Sequence, residues 1–371
     1  MYWGRVASPL TVTARCLEKC HRGGKFQHTR TSLSSWMITD TGTVHVTGNS
    51  LVPLATMSSA STQQWSDKML EVVRWSNSFY SKGSSREACK PFFVADHQVG
   101  HVTPNVLQYL LDRPDVIHIT RHATTNDVQR VSLAPSLTTF EERTTKMAGL
   151  LEELKKLDVF VTLRGWRNEM YAVCASYHDE TLMNMERAAT CLFGIKQYGV
   201  HLNGYCHHPT KGLCMWVGRR SPTKSTFPNK LDNVAAGGLP SGMLVKDCLM
   251  KECAEEASIP EFIAEKAVPA GAISYFYEDE RGLFDETQFV YDLELPADFV
   301  PQINDDEVTE FYLWTLQEVK EKIASKEFKP NCALVILDFL IRRGFLTPDA
   351  DPNYVLFLQG LHSDDPSGLF R

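Results

Sequence analysis

A cluster of three carboxylates is the feature that most constrains what this chain can fold into. The segment "KECAEEASI", which starts at Lys251, carries Glu252, Glu255 and Glu256 within five residues. Residues 244–257 have helical periodicity, and at roughly 100° per residue their apolar side chains fall on one arc and the three acids on the other. A helix that docks by its apolar arc therefore presents three negative charges at one place.

Such crowding has two interpretations. Like charges at helical spacing repel each other by a few tenths of a kcal/mol per pair, which a solvated acidic face tolerates. A divalent cation bound by the carboxylates is the alternative, because Mg²⁺ prefers oxygen ligands. The turn "GGLPSG", Gly237 to Gly242, precedes the helix and favours the cation, since glycine lets the backbone approach an ion or a phosphate closely.

Taken together, the glycine turn and the acidic helix resemble the Nudix box, G-x5-E-x7-R-E-U-x-E-E-x-G-U, where U is apolar. Read from Gly237 without insertions, the pattern departs at three positions: Met243 replaces the first Glu, Lys251 replaces Arg, and Ser258 replaces the last Gly. Lysine keeps the positive charge but loses the bidentate fork of arginine. Ser258 must adopt the backbone geometry that glycine takes there. No expected metal-binding acid is lost.

The resemblance extends to a eukaryotic Nudix subfamily with an extra N-terminal domain. It is related to the Nudix part of fungal thiamin pyrophosphokinase fusions and to plant organellar Nudix hydrolases. The segments that carry it are "GWRNEMYAV", "KLDNVAAGGLPSG", "KECAEEASIP", "YDLELPADFVP" and "LVILDFLIRRG", within residues 65–362. The resemblance implies hydrolysis of thiamin diphosphate derivatives, preferentially oxidised or damaged forms such as oxothiamin and oxythiamin diphosphate, to the monophosphate and phosphate.

The resemblance also implies Mg²⁺, with Mn²⁺ as a substitute, held by four groups: the side chains of Glu252, Glu255 and Glu256 and the Gly237 carbonyl. The cation would neutralise the diphosphate and activate a water. A carboxylate must then accept a proton. Glu256 or Glu255 is the favoured catalytic group, and Glu307 in the loop "NDDEVTEF" is the alternative, whereas its neighbours Asp306 and Glu310 are expected to be solvated.

Four further residues are expected to bind substrate. Arg219 and Arg220 follow each other on a strand-like segment, so at most one of them faces the site and can bind phosphate. Gly238 belongs to the glycine turn. Asp232 precedes that turn and would contact the organic part of the substrate, or else serve as a structural acid of the turn.

The region before the acidic helix contributes a second set of expectations. The aromatic segment "LRGWRNEMYAV" contains Trp166, Arg167 and Glu169, which either wall the pocket against a heterocycle or pack between domains. The segment "DETLMNMERAATCLFG" is predicted to form a helix that ends at Gly194.

The predicted fold class is α/β, a Nudix α/β/α sandwich with an additional N-terminal α/β domain. Its segments are a leader (1–62), the N-terminal domain (63–198), the Nudix domain (199–362) and a tail (363–371). The leader is basic, rich in hydroxyl side chains and poor in acids, which is typical of a mitochondrial transit peptide or of a disordered tail. A transit peptide predicts a mitochondrial location, and a disordered tail predicts a cytoplasmic one.

Charge and hydropathy limit the partners. The net charge of −7 gives no field that attracts nucleic acid or an anionic membrane. No apolar run approaches the roughly 20 residues of a spanning helix, and "CALVILDFLI" is interrupted by Asp338. A small-molecule diphosphate is the expected partner, and the oligomeric state stays open.

Two rival functions remain. One keeps the chemistry and exchanges the substrate for another nucleoside diphosphate derivative, such as ADP-ribose or a dinucleotide. The other is a Nudix module that binds a ligand without turnover.

Overall fold

A computed structural model of the chain describes residues 35–38, 44–47, 59–304 and 306–362. The chain divides into two compact units, Met1–Val52 and Pro53–Arg371. In the first unit, strands β1 (Ser35–Ile38) and β2 (Val44–Thr47) pair antiparallel. The rest of the predicted leader up to residue 58 and the predicted tail, 363–371, lie outside the described residues, so targeting stays a prediction. None of the described helices is both long and apolar enough to cross a bilayer.

The first part of the second unit alternates helices and short strands. Its elements are α1 (Ser59–Ser76), β3 (Lys90–Val94), β4 (His97–Val102), α2 (Pro104–Leu107), β5 (Ile117–Arg121), β6 (Val128–Leu133), α3 (Phe140–Lys156), β7 (Met170–Val173) and β8 (Met183–Glu186). Short 3₁₀ helices cover Ser78–Tyr80, Ser85–Glu87, Val161–Gly165 and Arg187–Leu192.

A small sheet with the strand order β4-β3-β6-β5 organises this part. Helix α3 starts at a capping box in which the side chains of Thr139 and Glu142 each accept a hydrogen bond from the other residue's backbone N–H. Its buried residues Met147, Leu150, Leu151 and Leu154 join the sheet in a core of their own.

The second part carries the longer strands. Its elements are β9 (Gln197–His208), β10 (Gly212–Arg220), β11 (Leu231–Asn233), β12 (Ala235–Gly238), α4 (Val245–Ala257), α5 (Glu261–Ala264), β13 (Val268–Asp279), β14 (Gly282–Glu294), β15 (Val308–Thr315), α6 (Leu316–Ile323), α7 (Pro330–Arg342) and α8 (Tyr354–His362). Helix α4 confirms the helix that the sequence predicts over residues 244–257.

These strands form a mixed sheet in the order β11-β10-β9-β14-β13, with β12 also on β9 and β15 also on β10. Strand β14 runs parallel to β9, while the other pairs are antiparallel. Side chains of a strand alternate between faces, so Met215 and Val217 of β10 pack with α1, α7 and α8, and Trp216 packs with α4. Helices therefore cover both faces, which confirms the α/β/α sandwich.

Two expectations need revision. Helix α1, which the sequence assigned to the N-terminal domain, buries Trp65, Met69 and Val73 in the core of the large sheet. The helix predicted up to Gly194 is wrong: strand β8 and the 3₁₀ helix Arg187–Leu192 occupy that segment, because β8 pairs with β7. The boundary predicted near Tyr198 stays a prediction, since residues 53–371 cluster as one unit.

Candidate active site

Helix α4 carries the three acids, packs against the sheet by its apolar face and ends in a defined turn. Cys248, Leu249, Cys253 and Ala257 are buried against the sheet. The helix ends at Ser258, whose φ of 51° lies in the left-handed region, while the N–H groups of Ser258 and Ile259 donate to the Cys253 carbonyl. Ser258 thus adopts the conformation that glycine prefers, as the sequence comparison with the Nudix box required.

The glutamate trio, Glu252, Glu255 and Glu256, lines one cavity of about 760 Å³. The three carboxylates differ in exposure: the Glu255 side chain is 51% exposed, that of Glu252 is 13% exposed, and Glu256 is buried. Lys251 lies between the first two, 3.2 Å from Glu252 and 2.7 Å from Glu255. The helical wheel placed all three acids on the solvent arc, which is wrong for Glu256, because strand β12 covers it.

Gly237 and Gly238 leave room for side chains that reach the cavity. A Cβ at Gly237 would clash with the Glu252 carboxyl, and a Cβ at Gly238 would clash with the Tyr171 hydroxyl. Neither residue has a positive φ. Glycine is therefore needed at both positions because the Glu252 carboxyl and the Tyr171 phenol occupy the space that a side chain would fill.

The protein itself leaves the trio's negative charge poorly compensated. The Glu256 Oε2 atom accepts a hydrogen bond from the Ala236 N–H at 2.8 Å. Even so, burial raises the pKa of Glu256 well above its ordinary value, and the charges of Asp232, Glu252 and Glu307 add to the effect. Burial also raises the pKa of Glu252, with Lys251 acting against it.

A divalent cation fits this donor set. Carboxylate and backbone carbonyl oxygens are the ligands that Mg²⁺ and Mn²⁺ prefer, and a cation among crowded carboxylates reverses their mutual destabilisation. Glu252, Glu255 and Glu256 offer the carboxylates, and Gly237 offers the nearby backbone.

A further part of the cavity lining is basic and comes from the earlier part of the chain. The arginine pair, Arg167 and Arg187, lines the cavity together with Glu169 and Tyr171. The Arg187 Nη1 atom donates to Glu169 Oε2 at 2.8 Å, and the guanidinium lies over the Tyr171 ring, 5.3 Å from its centroid. Burial and the charge of Arg187 lower the pKa of Arg167.

The predicted phosphate ligands on β10 have other partners. The Arg220 side chain reaches the cavity, but its Nη1 bonds Asp232 at 2.7 Å, its Nε bonds the Phe227 carbonyl and its Nη2 bonds the Thr226 carbonyl. Arg219 is absent from the cavity lining and donates to the Asn229 carbonyl and to Tyr312. Of the two arginines Arg220 alone lines the cavity, and its role in binding phosphate stays a prediction.

Asp232 is a buried structural acid. Besides Arg220, it accepts a hydrogen bond from the Cys332 thiol at 2.7 Å, and it does not line the cavity. Its burial raises its pKa, but the charges of Lys329 and Arg220 outweigh this and keep the pKa below the ordinary value. These contacts fit the alternative that the sequence left open, a structural acid of the turn, and contact with substrate stays a prediction.

Glu307 reaches the cavity from the loop before β15 and pairs with Lys224. Burial opposes its ionisation, yet the hydrogen bond and charge of Lys224 lower its pKa below the ordinary value. Asp306 and Glu310 are absent from the lining, and Glu310 accepts a hydrogen bond from Tyr312. Among these three acids, Glu307 alone is placed to meet a ligand in the cavity.

Aromatic side chains and amides form another region of the cavity wall. Tyr277 stacks between Trp75 and Phe284, with centroids 4.8 and 4.6 Å away. In the described part of the chain, the buried Gln288 Oε1 and Gln197 Nε2 atoms have no hydrogen-bond partner. The Gln288 Nε2 donates to Tyr275 and to Glu286, each at 2.9 Å. Because the Glu286 carboxylate only accepts, Oε1 is the atom that remains available.

The segment that contains Trp166 is divided between the two predicted roles. Arg167 and Glu169 line the cavity, whereas Trp166 does not and instead packs at the edge of the N-terminal core beneath Lys155. Sequence reasoning missed Arg187, Tyr171, Gln197 and Gln288. The predicted helix concealed Arg187, and the amides of Gln197 and Gln288 carry no motif in the sequence.

The comparisons with known proteins bear on the family of the chain. A family model described as a domain of unknown function, DUF4743, matches residues 68–197. Nudix hydrolase 20, chloroplastic, of Arabidopsis thaliana is 39% identical over 280 residues, covering 75% of this chain and 74% of the relative. Nudix hydrolase 24, chloroplastic, of the same plant is 37% identical over 278 residues, covering 75% and 73%.

Among solved structures, the Nudix domain of Shewanella oneidensis NrtR complexed with ADP ribose covers 44% of this chain and 100% of its own. Its sequence identity is 14% and its TM-score 0.33, an overlap too loose to carry an argument about the site. The sequence relatives are sufficient. The chain belongs to the Nudix hydrolase family and is a hydrolase that acts on phosphoanhydride bonds.

Proposed function

We propose that this Nudix hydrolase cleaves the diphosphate of thiamin diphosphate derivatives, preferentially oxidised or damaged forms such as oxothiamin and oxythiamin diphosphate. The products would be the monophosphate and phosphate. The observation that carries the proposal is one cavity lined by the glutamate trio, by the arginine pair and by an aromatic region with unpaired amides. The subfamily resemblance through "GWRNEMYAV" and "KLDNVAAGGLPSG" supports the thiamin group.

In this proposal the glutamate trio and the Gly237 carbonyl hold Mg²⁺, or Mn²⁺ in its place. When bound, the cation supplies neutralising charge for the diphosphate and for the transition state. The trio's own contribution is to present carboxylate oxygens at one end of the cavity, next to a backbone position that carries no side chain.

A carboxylate in the cavity must also take the proton of the attacking water. Glu255, Glu256 and Glu307 are the proposed groups. Lys224 favours the ionised form of Glu307. Lys251 contacts Glu255. Separate Glu→Gln variants at 255 and 307 distinguish them: the variant whose pH–rate profile loses its acidic limb identifies the acceptor.

The organic part of the substrate would lie against the aromatic region. The cavity volume is within the range of roughly 300–1,000 Å³ for small-molecule sites. The Gln288 Oε1 requires a donor from the ligand and the Gln197 Nε2 requires an acceptor, a combination that an aminopyrimidine edge provides. Burying these amides without partners costs free energy, so a ligand that pairs both is preferred.

A substrate panel tests the proposal. Oxothiamin diphosphate, thiamin diphosphate, ADP-ribose and a diadenosine polyphosphate are compared with Mg²⁺ and with chelator. Mg²⁺-dependent phosphate release, fastest from oxothiamin diphosphate, supports it. Fastest AMP formation from ADP-ribose or the dinucleotide would reassign the substrate to nucleoside diphosphate derivatives. No turnover of any compound would contradict the hydrolase.

The leader is proposed to direct the chain to an organelle. The chloroplastic names of the plant relatives describe those proteins. Fusion of residues 1–62 to a fluorescent protein tests the mitochondrial prediction, and a diffuse cytoplasmic signal would contradict it.

A further inference from the structure

We propose that the region matched by the domain of unknown function completes the active site: Arg187, aided by Arg167, binds the phosphate groups of the substrate in the cavity that the glutamate trio lines. This assigns a substrate-binding role to a region outside the Nudix box. It depends on the diphosphate of the substrate and not on the organic group attached to it.

Arg187 is held rigidly by neighbours from its own region. Its backbone N–H donates to the Glu169 carbonyl at 2.8 Å, and its Nη1 donates to the Glu169 carboxylate at 2.8 Å. The Tyr171 ring lies beneath the guanidinium. These contacts use one nitrogen of the side chain, and within the described residues Nε and Nη2 donate to no protein acceptor.

The available edge of this guanidinium lies beside the glycine turn. The Cζ and Nη2 atoms of Arg187 are 3.0 Å from the place where a Cβ on Gly238 would stand. The preceding residue, Gly237, has the Glu252 carboxyl in the corresponding place. Arg187 and Glu252 therefore lie next to consecutive residues of β12, and both line the same cavity, so one ligand in that cavity can contact the trio and the arginine.

Arg167 adds a second positive charge to the same side of the cavity. Its backbone N–H donates to Glu186 at 3.0 Å and its Nη2 contacts the Ser225 hydroxyl at 3.3 Å, both without a carboxylate at the guanidinium. Glu169 is the acid paired with Arg187. The Arg167 guanidinium thus lacks the carboxylate partner that Arg187 has, and a phosphate oxygen pair matches a guanidinium in geometry and sign.

A purely structural ion pair looks different in the same molecule. Every nitrogen group of the buried Arg220 guanidinium bonds a protein oxygen. The Arg187 side chain is 30% exposed, and the surface that it exposes faces the cavity. The unused donors of Arg187 are therefore accounted for by a ligand and not by the fold.

Calorimetric binding of methylenediphosphonate, a diphosphate mimic with a P–C–P linkage that water does not cleave, tests this with saturating Mg²⁺. Arg187→Gln is expected to weaken binding roughly tenfold to a hundredfold, as for the loss of charged hydrogen bonds. Arg187→Lys keeps the charge and loses the fork, so an intermediate value is expected. The double variant Arg187→Gln/Glu169→Gln removes the unpaired carboxylate and should bind as weakly as Arg187→Gln.

Arg130→Gln is the matched control, because Arg130 belongs to the same region, lies over Phe93 and is absent from the cavity lining. Wild-type binding by both Arg187→Gln and the double variant, with unchanged thermal unfolding, would overturn the inference, as would an equal loss in Arg130→Gln. If methylenediphosphonate binding requires Arg187 while oxothiamin diphosphate is not hydrolysed, only the proposed substrate fails. If oxothiamin diphosphate is hydrolysed and Arg187 is dispensable, only this inference fails.

Discussion

The two walls of the cavity, the glutamate trio and the arginine pair, reach the same ligand space by different routes. The trio lies within five consecutive residues of one helix, so helical geometry alone brings the carboxylates together. Arg167 and Arg187 are 20 residues apart in sequence, one before β7 and one after β8, and pairing of these strands brings them together. A local sequence motif can therefore predict the glutamate trio, whereas the arginine pair becomes visible only in the folded structure.

The largest expected effect concerns the acidic wall. Glu256→Gln should lower Mg²⁺-dependent phosphate release by about a thousandfold, since several kcal/mol of charge stabilisation are lost. Activity within tenfold of wild type would show that the buried acid is not required.

The same variant should stabilise the protein in chelator. Because the pKa of Glu256 is raised in the folded state, the wild-type protein loses folding stability as pH rises through that pKa. The variant does not ionise there, so the two proteins should be equally stable near pH 4 and diverge at higher pH. Glutamine still accepts from Ala236, and a gain of about 1 kcal/mol is expected at pH 8. Denaturant unfolding at both pH values measures it, and a less stable variant at pH 8 would contradict the account.

Alanine substitutions at Gly237 and Gly238 test the glutamate trio and the arginine pair separately. Gly237→Ala displaces Glu252 and should raise the Mg²⁺ concentration for half-maximal activity about tenfold. Gly238→Ala displaces Tyr171 and Arg187 and should instead weaken methylenediphosphonate binding about tenfold, because overpacking costs roughly 1–3 kcal/mol.

The control for both is Gly149→Ala, at an exposed position of α3 with open space, where a gain of about 0.5–1 kcal/mol is expected. Identical metal and ligand phenotypes for Gly237→Ala and Gly238→Ala would remove the distinction between the walls.

Arg220→Lys tests whether an arginine of the cavity lining is structural. Lysine cannot bond Asp232, Phe227 and Thr226 together, so a loss of about 2–4 kcal/mol in the free energy of unfolding is expected. KM should stay within twofold below the unfolding temperature. A stable variant with a large rise in KM would instead indicate that Arg220 binds phosphate.

The smallest effect is at the end of α4. Ser258→Gly removes the strain of a left-handed side-chain-bearing residue, and glycine's larger unfolded-state entropy offsets part of the gain. An increase of about 0.5 kcal/mol in unfolding free energy is expected, with kcat unchanged. A destabilised variant would show that the serine side chain stabilises the turn.

Strong periodicity and local chemistry made part of this structure predictable. Helix α4 follows from apolar spacing, and the trio follows from the motif. The segment around Arg187 was mispredicted as a helix, because its apolar spacing fits a helix while pairing of β8 with β7 decides its conformation. The ion pair between Asp232 and Arg220 was not predicted, because burial and partners distant in sequence decide it and no local pattern encodes them.

Calorimetric titration with Mg²⁺ tests the central claim most directly, that the trio is a divalent-cation site. Wild type and Arg187→Gln should bind Mg²⁺ alike, whereas the combined Glu252→Gln/Glu256→Gln variant should show no binding at millimolar Mg²⁺ while remaining folded. Equal Mg²⁺ binding by that folded double variant would contradict the account.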